Sequence, residues 1–495
     1  METAQESKST LLSRSLQSLF ATAGSRLVMF LAGIVLARLL GPTDLGVLTL
    51  LVTIGTFVSS LTALGVPQAA TKFVSERNDL APSVLRASVF LILALSLVGF
   101  LVLLLGARWV AQDLYGEPLL VPLLTMIAAF IIANNVFLLS QSLLQGTGAI
   151  GSYNLVTITS TVVYFILVSL GAWLFGLKGV VWAVVVNALI GIALSITYLL
   201  RTKKSLPALG WQRNDWSEAK PILRYGAFLT AGGLMANAAL WYAPTLLVHA
   251  HGFASLGYFR VANLVTSNLL IIPTAVAIPL FPALSGTYAS NRTRFTELAK
   301  NSFALVALAT LPIAVLCCLF SEELLLLLVG TEYSQGWDIV FLMSVAGFLM
   351  AVNSIAGAVF YGAGEMGHSM VINAVWGVVF AGVAWMLVPL LSSLGLALAY
   401  VLSYGVMTVI QFQYQSRRWE IRFRYTSLAT LAIALLFFGC YVLKVYVHGM
   451  AFYVSSVGIV LVLALVMLRV VLADPRLASI LPASIVGRMR PLNRG

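Results

Sequence analysis

Charge is what this chain has least of: Asp, Glu, Lys and Arg together make up 9% of its 495 residues. Whole stretches lack acid, with no Asp or Glu between Val47 and Glu76, between Val121 and Lys178, or between Gly226 and Thr296. A proton-coupled cation exporter keeps a buried carboxylate to exchange proton for cargo, and none lies deep in the first half. Cysteine is scarce too. Cys317, Cys318 and Cys440 sit in apolar runs, with neither disulfide nor metal spacing, and read as small packing residues. The acids of the outer loops (Asp44, Asp113, Glu117, Glu322, Glu323, Glu332 and Asp338) show no paired metal-binding spacing, and no outer loop is long enough for a catalytic domain. The sequence therefore argues against an enzyme and offers no cofactor or metal site. His249 and His251 read as solvated residues at the end of an apolar run and receive no role.

What the chain has is apolar length. It is 60% hydrophobic, with a mean hydropathy of +0.99, values that an ordinary water-soluble domain does not reach. Runs of roughly 20 residues, enough to cross about 30 Å of hydrocarbon as a helix, follow one another with short polar breaks. About fourteen begin near Ser13, Gly46, Ser83, Leu119, Tyr153, Lys178, Gly226, Tyr258, Asn301, Trp337, Met370, Leu394, Ser427 and Met450. The fold class expected is an all-α polytopic membrane protein.

The chain also repeats itself. Gly41, Leu45 and Gly46 recur 211 residues later as Gly252, Leu256 and Gly257. At a shift of 216, Gly146, Gly148, Gly151, Gly179 and Ala183 recur as Gly362, Gly364, Gly367, Gly395 and Ala399. Two six-helix lobes in tandem follow, 1–200 and 226–416, joined by a cytoplasmic linker at 201–225. Helices thirteen and fourteen, 417–472, are appended, and 473–495 form a tail. Six is even, so both lobes enter the bilayer the same way up, related by a pseudo-two-fold axis along the membrane normal.

Lys and Arg set the orientation. With a cytoplasmic N-terminus, 23 of the 29 fall in inner segments, Arg26 falls inside helix one, and only Arg38, Arg108, Lys178, Arg260 and Lys444 fall in outer loops. Both termini are expected in the cytoplasm, in a multi-pass protein of the cell membrane. No cleavable signal peptide is expected, because the polar opening leads into a helix of spanning length carrying Arg26. The net charge of +12 belongs with anionic lipid headgroups rather than nucleic acid, since the basic residues stand in short loops beside apolar helices. Segments Gln68–Leu80 and Thr287–Lys300, at matching places in the two halves, read as short surface helices.

Arg26 is the sharpest residue. Facing lipid unpaired it costs at least about 2.5 to 3.5 kcal/mol, so it must face protein or a wet cavity. Two readings stand: an arginine satisfied by neighbouring carbonyls or snorkelling to the surface, and an anion contact. Asn134, Asn135, Asn187, Asn237, Asn263, Asn268, Asn353 and Asn373 are scattered along other helices, most as interhelical glue. Asn237 and Asn263 stand out, because helices seven and eight would face helices one and two across the symmetry axis, and sugars take neutral hydrogen-bonding partners of this kind. Gly232-Gly233 and Pro244 in helix seven, and Pro273, Pro279 and Pro282 in helix eight, mark places where a helix bends, either as static kinks or as a moving gate.

The run Leu36 to Val47, followed by Ala63-Leu64-Gly65-Val66-Pro67 and a short basic helix, resembles the polysaccharide-biosynthesis flippases of the multidrug/oligosaccharidyl-lipid/polysaccharide exporter superfamily. The likeness covers roughly residues 10 to 415. In related lipid II flippases a Ser-Arg pair stands twelve residues before Ala-Arg-x-x-Gly, a spacing kept by Ser25-Arg26 and Ala37-Arg38-Leu39-Leu40-Gly41. Two further cationic positions of that group would fall at Ala32 and Asn263. One of three is kept, which points to an O-antigen-like or other exopolysaccharide unit rather than lipid II. The resemblance implies alternating-access movement of a polyprenyl-diphosphate-linked oligosaccharide. It gives the diphosphate to Arg26, with Arg260 helping near the outer mouth, and the sugars to Asn237, Asn263 and Asn134. Partners would be that lipid-linked oligosaccharide, membrane lipids, and a glycan polymerase or glycosyltransferases. The alternatives are a multidrug exporter of the same architecture and a non-transporting membrane scaffold.

Overall fold

The computed structural model describes the backbone of residues 2–77, 82–201, 215–421 and 426–473, and nearly all of it is helical. Most of the linker and the tail beyond Ala473 lie outside the described residues. The helices are α1 (Glu2–Ala63), α2 (Val66–Arg77), α3 (Pro82–Trp109), α4 (Leu120–Gly146), α5 (Ile150–Arg201), α6 (Asp215–Leu269), α7 (Ile271–Ser290), α8 (Arg292–Leu319), α9 (Ser321–Leu328), α10 (Trp337–Gly362), α11 (Met366–Trp419), α12 (Thr426–Tyr446) and α13 (Met450–Ala473).

Four apolar helical stretches, in α1, α5, α6 and α11, are 44, 52, 45 and 54 residues long. At 1.5 Å per residue each exceeds about 65 Å, twice the hydrocarbon thickness, so each holds two crossings. Each is broken by one residue with non-helical backbone: Gly41 (φ 72°, ψ 176°), Gly176 (φ 60°, ψ −144°), Gly252 (φ 79°, ψ 177°) and Ser392 (φ 55°, ψ −136°). With single crossings in α3, α4, α8 and α10, and the shorter apolar segments Ala432–Tyr446 and Met450–Leu463, the described residues account for the fourteen helices its sequence implies.

The duplication is written into the backbone. Gly41 and Gly252 share one conformation at a shift of 211, and Gly176 and Ser392 share another at 216. Gly148 and Gly364, both in the left-handed region, repeat the 216 shift. At Gly176 the chain doubles back, because a Cβ on Gly179 would strike the Gly171 carbonyl, eight residues away and about 12 Å distant in a straight helix. The second half repeats this hairpin with Gly395 against the Leu387 carbonyl.

Ser392 occupies a region that favours glycine, with its Oγ 3.2 Å from that of Ser255 as partial compensation. Gly176→Ala is expected to cost about 1–3 kcal/mol, and Ser392→Gly to gain less than that because the hydroxyl contact goes with it. Thermal unfolding in detergent measures both, and an unchanged midpoint for Gly176→Ala would contradict the reversal.

The halves differ where α2 and α7 begin. After Ala63 the backbone breaks over Leu64 (φ 43°) and Gly65 (φ 64°), freeing α2 as a separate amphipathic helix, as expected. In the second half the break falls at Leu270, ahead of Pro273, whose ring cannot pack against the Leu269 carbonyl of a continuing helix. The expected surface helix at 287–300 is not one element. Asn291 interrupts it, its side chain capping the Arg294 amide at 2.9 Å, and the rest is the first two turns of α8.

The chain divides into two compact units. The first comprises Met1–Leu264, Leu328–Tyr333 and Met370–Ala399, and the second Val265–Leu327, Ser334–Ser369 and Tyr400–Gly495. In the first, α1 packs on α5 and α4, while α2 and α3 pack on α4. Asn135, fully buried, ties three helices there: its amide accepts from Ser59 at 2.5 Å and donates to Ser96 at 2.9 Å and Thr62 at 3.2 Å. That is the interhelical bonding expected of most membrane amides. In the second unit α10 packs on α8 and α7, and the appended α12 and α13 lean on α8, with Cys318 of α8, Phe341 of α10 and Phe437 and Cys440 of α12 in one buried cluster. Cys318 and Cys440 are buried packing residues here, and Cys317 is half-buried.

Candidate functional site

All candidate residues belong to the first unit. Its reference point is a corner formed by the reversals of α1 and α6. A Cβ on Gly46 would enter the Phe253 carbonyl, and a Cβ on Gly257 would enter the Pro42 carbonyl. With the 211 shift, 46 pairs with 257 and 42 with 253, so the two contacts are one contact seen from both sides. Reciprocity of this kind is what a two-fold axis generates. Around the corner, Arg38 donates to the Leu328 carbonyl at 2.7 Å, Tyr333 to the Ala37 carbonyl at 3.1 Å and Tyr258 to the Glu332 carbonyl at 3.1 Å.

Arg26 lies fifteen residues from Gly41, about 22 Å along α1 from the corner. It shares a face with Phe30, Gly33 and Ala37, and Gly33 is the point where Leu264 of α6 closes on α1. Leu27 and Leu31 are exposed on a different stripe, and Met29, one turn from Arg26 on its own side, is exposed as well. It is half-buried, and among the described residues it has no hydrogen-bond or ion-pair partner. The buried Ser25 hydroxyl beside it is also unpartnered among them.

Arg260 stands eight residues past Gly252, about 12 Å inside the same corner. The sequence puts it among the outer-loop cations, and the structure corrects this. Polar breaks in the sequence do not coincide with the reversal, which is set by Gly252, so Arg260 falls two turns inside a helix. The Tyr164 phenol of α5 lies near its guanidinium. Tyr164 is a residue that reading the sequence missed. Its only signal is a polar hydroxyl midway through an apolar run.

Asn237, shifted by 211 from Arg26, stands at the matching depth in the second half, exposed and folded back so that its amide nitrogen would lie 3.5 Å from a Cβ on Gly233. Asn263, half-buried, lies eleven residues past Gly252, between the depths of the two arginines. Asn134 donates to Ser59 at 2.9 Å, at the edge of the Asn135 network. Among the described residues no hydrogen bond or ion pair joins any two of these five. What they share is their setting, cationic and amide side chains within helical spans without carboxylates.

Gly232, Gly233 and Pro244 sit within unbroken helix, the one non-helical residue of α6 being Gly252. Gly377 of α11 approaches the Met235 backbone closely, with its Cβ position 3.0 Å from the Met235 carbonyl. His251 and His249 do more than meet water. His251 Nε2 is 3.0 Å from the Val388 carbonyl, holding α6 to α11, and His249 stacks on Tyr115 at 5.6 Å. Burial pushes the Tyr115 phenol up to about 12, and its hydroxyl lies 2.9 Å from that of Thr245. Among the described residues no cluster of His, Cys, Asp or Glu is placed to hold a metal ion.

The sequence pattern of a family described as polysaccharide biosynthesis protein matches residues 35–338. A probable low-salt glycan biosynthesis flippase, Agl15 of Haloferax volcanii, is 21% identical over 414 residues, covering 83% of this chain and 84% of that one. Among solved structures, the lipid II flippase MurJ in an inward closed conformation superposes with a TM-score of 0.69 at 13% identity, over 92% of this chain and 98% of that one. An inward-facing multidrug resistance MATE family transporter of the MOP superfamily gives 0.68 at 18% identity, over 80% and 94%. At such identities the two structures establish the fold.

Proposed function

Because this chain belongs to the polysaccharide biosynthesis protein family, we propose that it is a flippase that moves a polyprenyl-diphosphate-linked oligosaccharide across the cytoplasmic membrane by alternating access between lobes 1–200 and 226–416. The observation that carries this reading is Arg26, a cation deep in carboxylate-free spans, half-buried and without a partner among the described residues. An arginine in that position stays charged, and a diphosphate is the anion whose passage it eases. The glycan-biosynthesis name of the Haloferax relative supports the substrate class.

In this reading Arg26 draws in the diphosphate from the cytoplasmic side and Arg260, about 10 Å further along, receives it nearer the outer corner. Asn237, Asn263 and Asn134 offer neutral hydrogen bonds to sugar hydroxyls, while the polyprenyl tail stays in lipid. Gly232, Gly233 and Pro244 supply bending in helix seven. The step is transport, without bond making or breaking, and serves glycan polymerases or glycosyltransferases on either face.

Purified protein in liposomes, loaded with a fluorescent polyprenyl-diphosphate trisaccharide, is the test. The fraction of glycan reached by an external lectin should approach equilibrium faster with protein than without. Faster efflux of a cationic dye, with no effect on the glycolipid, would replace this reading by the drug-exporter alternative.

A further inference from the structure

The first turns of α6 carry a feature that plays no part in the transport route. Trp216, Lys220, Arg224 and Phe228 recur at every fourth residue, so their side chains form one slowly turning ridge. Behind the ridge, Ala219 and Ile222 are buried in the core formed with Val66, Ala69 and Leu85, and Gly226 lies against the backbone of Leu64 and Gly65. The helix is therefore fixed in rotation, with the ridge outward. Trp216 is 64% exposed and Phe228 65%. Together with Lys220, Pro221 and Arg224 they line a cleft of about 1200 Å³.

The charge of the ridge is uncompensated along the helix. Asp215 is fully buried and held bidentately by Arg86, at 2.8 and 2.9 Å. Glu218 is two residues from Lys220 and so projects from roughly the opposite side. Two cations one turn apart are thus bracketed by two aromatic rings. The ridge leads into the apolar run that begins near Gly226, with Trp216, Lys220 and Arg224 ahead of it and Phe228 just inside, which puts it at the level where a bilayer gives way to water.

We propose that this ridge is a docking site for the phosphate headgroup of an anionic phospholipid. Basic side chains a turn apart can share one phosphate, and tryptophan and phenylalanine beside them suit the headgroup boundary, where aromatic rings are enriched. A soluble anion would use the two cations and leave both rings in water. The bound lipid fastens the entry of helix seven to the membrane surface and buries the exposed rings against its glycerol and upper acyl carbons.

The test uses the full chain in neutral detergent, titrated with phosphatidylglycerol, phosphatidylcholine or sodium pyrophosphate, reading the thermal midpoint and, by native mass spectrometry, the lipid retained. Phosphatidylglycerol should raise the midpoint and phosphatidylcholine should not. In Lys220→Gln/Arg224→Gln the concentration for half-maximal protection should rise about twenty-five-fold, at about a factor of five for each basic residue. Lys220→Arg/Arg224→Lys, which keeps both charges, should bind as the parent does and guards against misfolding. The proposal is overturned if the Gln variant keeps the parent's lipid dependence, if phosphatidylcholine protects equally, or if pyrophosphate alone reproduces the effect. The flippase reading stands or falls separately, since none of these measurements involves glycolipid transport.

Discussion

Gly257→Leu is expected to abolish most transport while leaving the protein in the membrane at normal levels, and Gly46→Leu to do the same. Each side chain would be driven into a backbone carbonyl, Pro42 in one case and Phe253 in the other, where no rotamer change of a neighbour makes room. Overpacking of this kind costs about 1–3 kcal/mol, occasionally more, which lowers the population of the packed corner roughly 5- to 150-fold. An alternating-access cycle that passes through the packed corner slows in proportion. Two effects therefore appear together: glycolipid transport falls at least about fivefold, and a reporter in the corner becomes accessible. Leu45, 3% exposed, serves as that reporter. As Leu45→Cys, in a background with Cys317, Cys318 and Cys440 changed to alanine, it should resist an impermeant thiol reagent in the parent and react in the Gly257→Leu protein. Normal transport with an unreactive Leu45→Cys would mean that the corner is not part of the cycle.

That corner also shows why part of this protein can be read without a structure. Gly41 and Gly252 hold a backbone conformation that side-chain-bearing residues adopt at a cost, so the requirement leaves a residue type in the sequence and the duplication surfaces as a spacing. Gly116 and Gly330, both in the left-handed region, carry the same kind of mark at a shift of 214, obscured because neighbouring residues do not match. Ser392 shows the limit: its partner Gly176 is a glycine, yet a serine fills the equivalent reversal and hides it. Arg260 was misplaced for a related reason. Polarity locates the ends of apolar runs, whereas the turn sits at Gly252, six residues before the run taken as helix eight begins. Long-range partners leave no such mark. Tyr164 beside Arg260 and Arg86 on Asp215 are separated in sequence by about a hundred residues or more, and only packing brings them together.

Arg26→Gln is expected to lose most glycan export, by at least about tenfold, while Arg26→Lys keeps a substantial part. The argument runs from cost to role. An unpartnered arginine about 22 Å from the corner, with no carboxylate in the surrounding spans, is too expensive to be kept for packing alone. A mobile diphosphate offers the charge-assisted bonds that the protein does not. Lysine supplies the same charge from a shorter reach and without the planar fork, so it should hold a phosphate as a point charge and lose only the bidentate geometry. Glutamine keeps polarity and loses charge. Each lost charge-assisted bond is worth about 1.5–3 kcal/mol, which sets the tenfold scale. Surface glycan made by a strain lacking its own flippase measures the outcome, with membrane levels of each variant determined in parallel. The order of the variants decides between roles: parent, then Lys, then Gln points to an anion contact, whereas equal activity of Lys and Gln points to a packing residue. Full export by a normally expressed Arg26→Gln protein would remove the diphosphate from this site and leave the family and fold untouched.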